Sequence, residues 1–168
     1  MVAANGLGGT HGGFDRKGFT FGLALAMKRN LDITIAGPGF NKSWFNNNLW
    51  MFNYSKLNLV FDTPNSELLD LYHNHDIFLH PSMLEAGHPN LTLLEAMSSG
   101  LPTIANWEHN TDLHGAWRAP RDIFEMEKGL DVIIDNWDSY RSECLNTSQE
   151  LSWLSRSKDL IEIYKSVQ

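Results

Sequence analysis

Short apolar runs alternate along this chain with amphipathic segments of helical period, and this alternation constrains the fold more than any other feature. The runs Leu31–Ala36 (LDITIA), Leu57–Phe61 (LNLVF), Ile77–His80 (IFLH) and Pro102–Ala105 (PTIA) lack a clean inside–outside alternation. Strands of this kind are buried on both faces, as in a parallel sheet. Between them lie helical patterns. In Lys17–Asn30, Phe19, Leu23 and Ala26 fall at i, i+4 and i+7. Asp15 is a candidate N-cap there, and Lys28 and Arg29 suit the C-terminal end of the helix dipole. Ser66 caps a helix with Leu68, Leu71 and Tyr72 on one face, and Asn90–Ser99 is a helix ended by Gly100. Alternation of this sort implies an α/β fold, a Rossmann-like parallel sheet flanked by helices.

Other elements are read from weaker signals. Met1–Ala4 is a short first strand, Asn41–Tyr54 a helix, and Ala116–Ala119 a last edge strand. Leu130, Ile133, Ile134 and Trp137 share one later helix face, and Leu160, Ile163, Tyr164 and Val167 another, with Ser139–Leu151 helical between them. A chain of 168 residues has room for one domain. That domain is residues 1–168, with its C-terminal helices at about 122–168.

Ligands of such sheets bind beyond the carboxyl ends of the strands. The loops 8–16, 37–41, 62–66, 81–90 and 106–112 fall at that edge, and they hold most of the unusual residues. The run GLGGTHGGFDRKG, residues 6–18, contains Gly9 and further glycines that let a ligand approach the backbone closely. It matches neither GxGxxG in a usable frame nor a P-loop, and on the glycines alone a flexible connection is the favoured reading. Arg16 and Lys17 follow. Two cations beside a helix N-terminus suit a diphosphate; the plain alternative is solvated charge.

Glu95 stands among Leu91, Leu93, Leu94, Ala96 and Met97, which predicts partial burial and a need for a partner such as a ribose diol. An exposed helical Glu is the alternative. Glu85 precedes it in the loop, and paired carboxylates also suit acid/base chemistry. His88, Pro89 and Asn90 open the helix, with Asn90 as N-cap and the first free backbone N–H groups available to an anion. His73 and His75 follow a helix and favour the negative end of its dipole. His109, Asp112 and His114 have no recognised metal-ligand spacing, so no metal is expected. Nucleophilic hydrolase chemistry has no support, because there is no Gly-x-Ser-x-Gly elbow and Cys144 lies in a polar segment far from the strand ends.

A net charge of −7 and a pI near 5.4 argue against a nucleic-acid or anionic-membrane surface. The single cysteine excludes an internal disulfide and fits a reducing, cytoplasmic setting. The N-terminal residues lack a secretory pattern, and no apolar run approaches a membrane span.

The run HPSMLEAGHPNLTLLEAMSSGLPTIA resembles the signature of retaining glycosyltransferases of family 4. In that family it lies in the C-terminal, nucleotide-sugar-binding, Rossmann-like half of a two-domain GT-B architecture. Pro81-Ser82, Glu85, Leu93-Leu94-Glu95-Ala96-Met97, Gly100 and Pro102 follow the family's order. Arg16-Lys17-Gly18 is similar to its Lys-Gly after the first strand, and Ile35–Gly39 to its strand ending in Gly-x-Gly. Leu68–Asp76 resembles its helix before the signature strand, and Ser152-Trp153 with the helix to Tyr164 its C-terminal end.

The resemblance implies roles by position. Lys17, helped by Arg16, contacts the donor diphosphate; the loop of His88, Pro89, Asn90 and Leu91 presents the backbone N–H groups it has, Pro89 lacking one, to it; and Gly9 lies in the adjoining loop. Glu95 binds the nucleotide ribose, and Glu85 stands near the sugar as the catalytic candidate. Two departures matter. The family's two Glu residues are usually separated by seven others, whereas nine separate Glu85 from Glu95, and strict spacing puts Gly87 in the first place. The family's earlier Arg falls among Gly12, Gly13 and Phe14.

The resemblance further implies no cofactor or metal, a nucleotide-diphosphate sugar as donor, and transfer of its sugar, hexosyl in class, for glycan biosynthesis. The acceptor-binding N-terminal half is expected to be missing, because the chain is an excised domain, because that half is a separate chain, or because the chain is a remnant, which leaves this domain incomplete for catalysis. The rival expectations are a non-catalytic relative that docks a partner subunit, and another Rossmann-like enzyme such as an epimerase or a dinucleotide binder with Asp62 as its acidic residue.

Overall fold

The computed structural model describes residues 2–3, 15, 17–37, 45, 47, 54–82, 91–107 and 112–166. Strand β1 (Val2–Ala3) is followed by α1 (Phe19–Arg29), β2 (Ile33–Gly37) and β3 (Leu57–Phe61). Then come α2 (Asn65–His73), β4 (Phe78–His80), α3 (Leu91–Ser98), β5 (Thr103–Ala105) and β6 (Ala116–Arg118). Three helices complete the chain, α4 (Ile123–Asp135), α5 (Trp137–Glu150) and α6 (Trp153–Ser166). The strands form one sheet in the order β3-β2-β1-β4-β5-β6, with every neighbouring pair parallel. Val2 stands between Ile35 and Leu79, and Thr103 between Phe78 and Ala116.

Each face of the sheet carries its own core. Ile33 and Ile35 of β2 point to one face, where Leu79, Ile104, Phe19 and Leu23 of α1, and Met126, Leu130 and Ile133 of α4 meet. Ala36 points to the other, with Phe78, Ala105, Tyr72 of α2, Leu93 and Met97 of α3, and Cys144 of α5. The period of two along β2 therefore sorts side chains between two buried layers rather than between core and solvent. The α1 stripe of Phe19, Leu23 and Ala26 is buried as its spacing predicts. Phe45 belongs to the first core, its ring 5.2 Å from Phe19 and 5.7 Å from Phe61. The rest of the expected Asn41–Tyr54 helix lies outside the described residues, Asn47 and Tyr54 apart.

The C-terminal helices depart from the sequence expectation. Ile134 is half exposed, and the buried face of α4 is Met126, Gly129, Leu130 and Ile133. The helix stops at Asn136, so Trp137 begins α5 instead of extending the α4 stripe, and its indole N–H donates to the Asp76 carbonyl at 3.0 Å. Helix α5 buttresses the turns around β5. Arg141 donates to the Gly100 carbonyl at 3.1 Å, Thr147 to the His114 carbonyl at 3.0 Å, and the Cys144 thiol to the Gly115 carbonyl at 3.1 Å. Burial pushes that thiol up to about 12, so it stays protonated and structural. Helix α6 has no buried residue, and Leu160, Ile163 and Tyr164 of its expected apolar face are exposed.

Two predictions follow from this packing. Gly115 has φ +85°, and a Cβ there would lie 2.4 Å from the Cys144 backbone nitrogen. Gly115→Ala is expected to lower unfolding stability by about 1–3 kcal/mol, measured by urea denaturation. His75 has Nδ1 2.6 Å from the Leu71 carbonyl and Nε2 2.8 Å from the Thr34 hydroxyl, the first satisfying a carbonyl at the end of α2. Burial lowers its pKa below the ordinary 6.5, against the opposing pull of the Leu71 carbonyl. The unfolded chain then binds the proton more readily. The His75 contribution is complete above pH 6.5 and is lost as pH falls from there through the folded value. Urea midpoints measured from pH 7.5 to 5 should decline more steeply for the native chain than for His75→Gln.

Candidate functional site

Strands β1 and β4 are neighbours, yet the chain leaves them in opposite directions, towards β2 and towards β5. Such a reversal opens a crevice beyond the carboxyl ends of the two strands. The turn Asp15–Gly18 borders it on the β1 side; Pro81, Ser82 and the start of α3 border it on the β4 side. The two walls are in close contact. Gly18 has φ +77°, and a Cβ on it would lie 2.3 Å from the Pro81 carbonyl oxygen. The Asn106 amide donates to the Ser82 carbonyl at 3.1 Å, which ties the end of β5 to the same wall.

Asp15 shapes the β1 wall. Its carboxylate accepts from the backbone N–H groups of Gly18 at 2.8 Å, Phe19 at 3.1 Å and Thr20 at 2.8 Å, and from the Thr20 hydroxyl at 2.6 Å. The N-cap position itself is Gly18, so Asp15 caps from three residues further upstream than a simple N-cap. The positive end of α1 is thus already neutralised within the chain. An anionic ligand must be held by a side chain or by the start of α3. Arg121, from the β6–α4 connection, donates to the Asp15 carbonyl, and its Nη2 stands 3.8 Å from the Asp15 carboxylate.

Lys17, between Asp15 and Gly18, is only 3% exposed. It is therefore not part of the solvated surface, which was the plainer reading. On the other wall, Glu95 lies one turn into α3 and is exposed. This corrects the expectation of partial burial: Leu93, Ala96 and Met97 form the buried face, and Glu95 stands on the side they leave open. One carboxylate oxygen accepts a hydrogen bond from the Tyr72 hydroxyl at 3.2 Å. Burial, reinforced by the Glu95 charge, raises the Tyr72 pKa beyond the usual tyrosine range, so the hydroxyl keeps its proton and donates.

Leu91 begins α3 and is 70% exposed. Gly9, Arg16, Glu85, His88, Pro89, Asn90 and His109 lie outside the described residues. Tyr72 and Arg121 were not singled out as site residues from sequence. Tyr72 carried only a core-face signal, and nothing local to Arg121 announces a contact with Asp15. A further cation at the carboxyl edge, Arg118, lies 5.6 Å over the Trp107 ring. A cleft of about 480 Å³ between the end of α5 and the start of α6, lined by Ser148, Ser152 and Lys158 among others, is separate from these strand ends.

Residues 21–112 match the family described as glycosyl transferases group 1. No curated protein sequence matches the chain. Among solved structures, sucrose-phosphate synthase from Thermosynechococcus elongatus superposes with a TM-score of 0.75 at 15% identity, over 99% of this chain and 45% of that one. The C-terminal domain of a glycosyl transferase group 1 family protein (LpcC) from Francisella tularensis gives 0.64 at 17% identity, over 88% of this chain and 81% of that one. The catalytic domain of cholesterol-alpha-glucosyltransferase from Helicobacter pylori gives 0.62 at 15% identity, over 90% and 98%. The fold is therefore the Rossmann-like fold of GT-B glycosyltransferase domains, and the chain spans less than half the length of the sucrose-phosphate synthase chain.

Closure of the two walls depends on the absence of a side chain at position 18. Gly18→Ala is expected to destabilise the fold by about 1–3 kcal/mol, read as a lower urea midpoint.

Proposed function

Because the chain belongs to the glycosyl transferases group 1 family, we propose that it is the donor-binding half of a retaining glycosyltransferase. The observation that carries this reading is the crevice between β1 and β4, with the buried Lys17 on one wall and the exposed Glu95 of α3 on the other. The donor is a nucleotide-diphosphate sugar. Lys17 neutralises the diphosphate as a point charge, with Arg16 as its neighbour. His88, Asn90 and Leu91 are the backbone N–H donors for the phosphates in this reading, with Pro89 and Gly9 contributing no side-chain charge there. Glu95, oriented by the Tyr72 hydroxyl, accepts hydrogen bonds from the ribose diol.

The reaction is transfer of a sugar, hexosyl in class, to an acceptor in glycan biosynthesis. The departing diphosphate is stabilised by Lys17 and the α3 entrance, and no metal or other cofactor is needed for this. Glu85 is the candidate near the sugar. The acceptor is bound by a second domain, in the same polypeptide or in a partner chain, and this domain alone transfers slowly or not at all. Among the described residues no helix is long and apolar enough to cross a membrane. A cytoplasmic setting, where nucleotide sugars are available, fits the single buried Cys144.

The second reading, a non-catalytic relative that docks a partner, draws on α6. Trp153 is 89% exposed and Leu154 68%, with Ile161, Ile163 and Tyr164 exposed beyond them. A surface of this kind suits an interface. Under the first reading, the same face packs on the acceptor-binding half.

Calorimetric titration with UDP, GDP and ADP separates the two readings. The donor reading expects binding of at least one at submillimolar concentration, weakened by about 1–3 kcal/mol in Glu95→Ala and in Lys17→Ala. A folded domain that binds none of the three at millimolar concentration is not a donor domain. Tyr72→Phe should weaken nucleotide binding while changing stability by less than about 1.5 kcal/mol, because its Glu95 partner is exposed to water.

A further inference from the structure

The turn that carries Lys17 is held by a residue from the far end of the sheet. Arg121 lies beyond β6, more than a hundred positions from Asp15 in sequence, and its guanidinium is nearly enclosed, with 10% of the side chain exposed. It donates to the Asp15 main-chain carbonyl, stands 3.8 Å from the Asp15 carboxylate, and lies 4.6 Å over the Phe21 ring. The Asp15 side chain is 12% exposed and takes three backbone N–H groups and the Thr20 hydroxyl of the first turn of α1. The two contacts together fix the chain on both sides of position 17: Asp15 before it, and Gly18, Phe19 and Thr20 after it.

We propose that Arg121, acting through Asp15, is a positioning residue that sets the backbone turn carrying Lys17; this rests on the donor-binding reading above. The physical basis is the carboxylate. A nearly buried carboxylate such as that of Asp15 needs cationic and N–H donors around it. Without Arg121 the carboxylate keeps its N–H partners but loses its counter-charge and the anchor on its own carbonyl. The turn is then held from the α1 side alone. Arg121 thus keeps the backbone on both sides of Lys17 in place.

The test compares the native chain with Arg121→Met, Lys17→Met and the double variant. Affinity is measured by calorimetry for whichever of UDP, GDP and ADP binds tightest and for the matching nucleoside, which lacks phosphates. Positioning predicts that Arg121→Met weakens the diphosphate about tenfold, as for loss of one charge-assisted contact, and leaves the nucleoside unchanged. It also predicts that the double variant binds the diphosphate no more weakly than Lys17→Met alone, since both substitutions act on one interaction. Equal loss for nucleoside and diphosphate, additive losses in the double variant, or no loss in Arg121→Met would each overturn it. If Lys17→Met binds as tightly as the native chain, the diphosphate role of Lys17 fails instead, and with it the premise. Asp15→Asn keeps most of the capping geometry while removing the charge, and it provides the same comparison if Arg121→Met does not fold.

Discussion

A parallel sheet with both faces buried is the constraint on which the rest of this structure depends. Every pair in the order β3-β2-β1-β4-β5-β6 is parallel, so the chain must return across the sheet between strands, and α1, α2 and α3 do so between β1 and β2, β3 and β4, and β4 and β5. The two cores follow from this, with α1 and α4 covering one face and α2, α3 and α5 the other. All strands also end on the same edge. The reversal of direction between β1 and β4 then leaves a crevice at the centre of that edge, whatever ligand occupies it.

Charge within the crevice is arranged by competition for helix ends. Two helices begin there, and the positive end of α1 is satisfied by Asp15, with Arg121 supporting that carboxylate. The carboxylate on the opposite wall is in a different state. Glu95 is exposed and held at one oxygen by a hydroxyl that burial keeps protonated. A carboxylate with a free oxygen facing water can accept from a ligand's hydroxyls without leaving a buried charge unpaired.

The α6 helix shows where the domain's own packing ends. The α4 stripe of Met126, Leu130 and Ile133 is fully covered, whereas Trp153, Leu160, Ile163 and Tyr164 of α6 face solvent. Both helices have apolar periodicity of the same kind. The difference is that α4 lies against the sheet and α1, while α6 follows α5 away from either core.

Local pattern determined the strands, their burial on both faces and the α/β architecture, because consecutive apolar residues and helical periodicity are properties of short segments. The signature around Leu93–Met97 likewise led from residues to the family. Period alone misassigned Ile134 and Trp137 to one buried face, since the break at Asn136 rests on backbone geometry that periodicity does not encode. It also placed Glu95 among apolar neighbours, although adjacency in sequence puts residues on different sides of a helix. Tertiary structure alone decided that Tyr72 orients Glu95, that Gly18 closes on Pro81 and that Arg121 reaches Asp15. Each of these contacts joins segments far apart in the chain, and only the order of strands in the sheet brings them together.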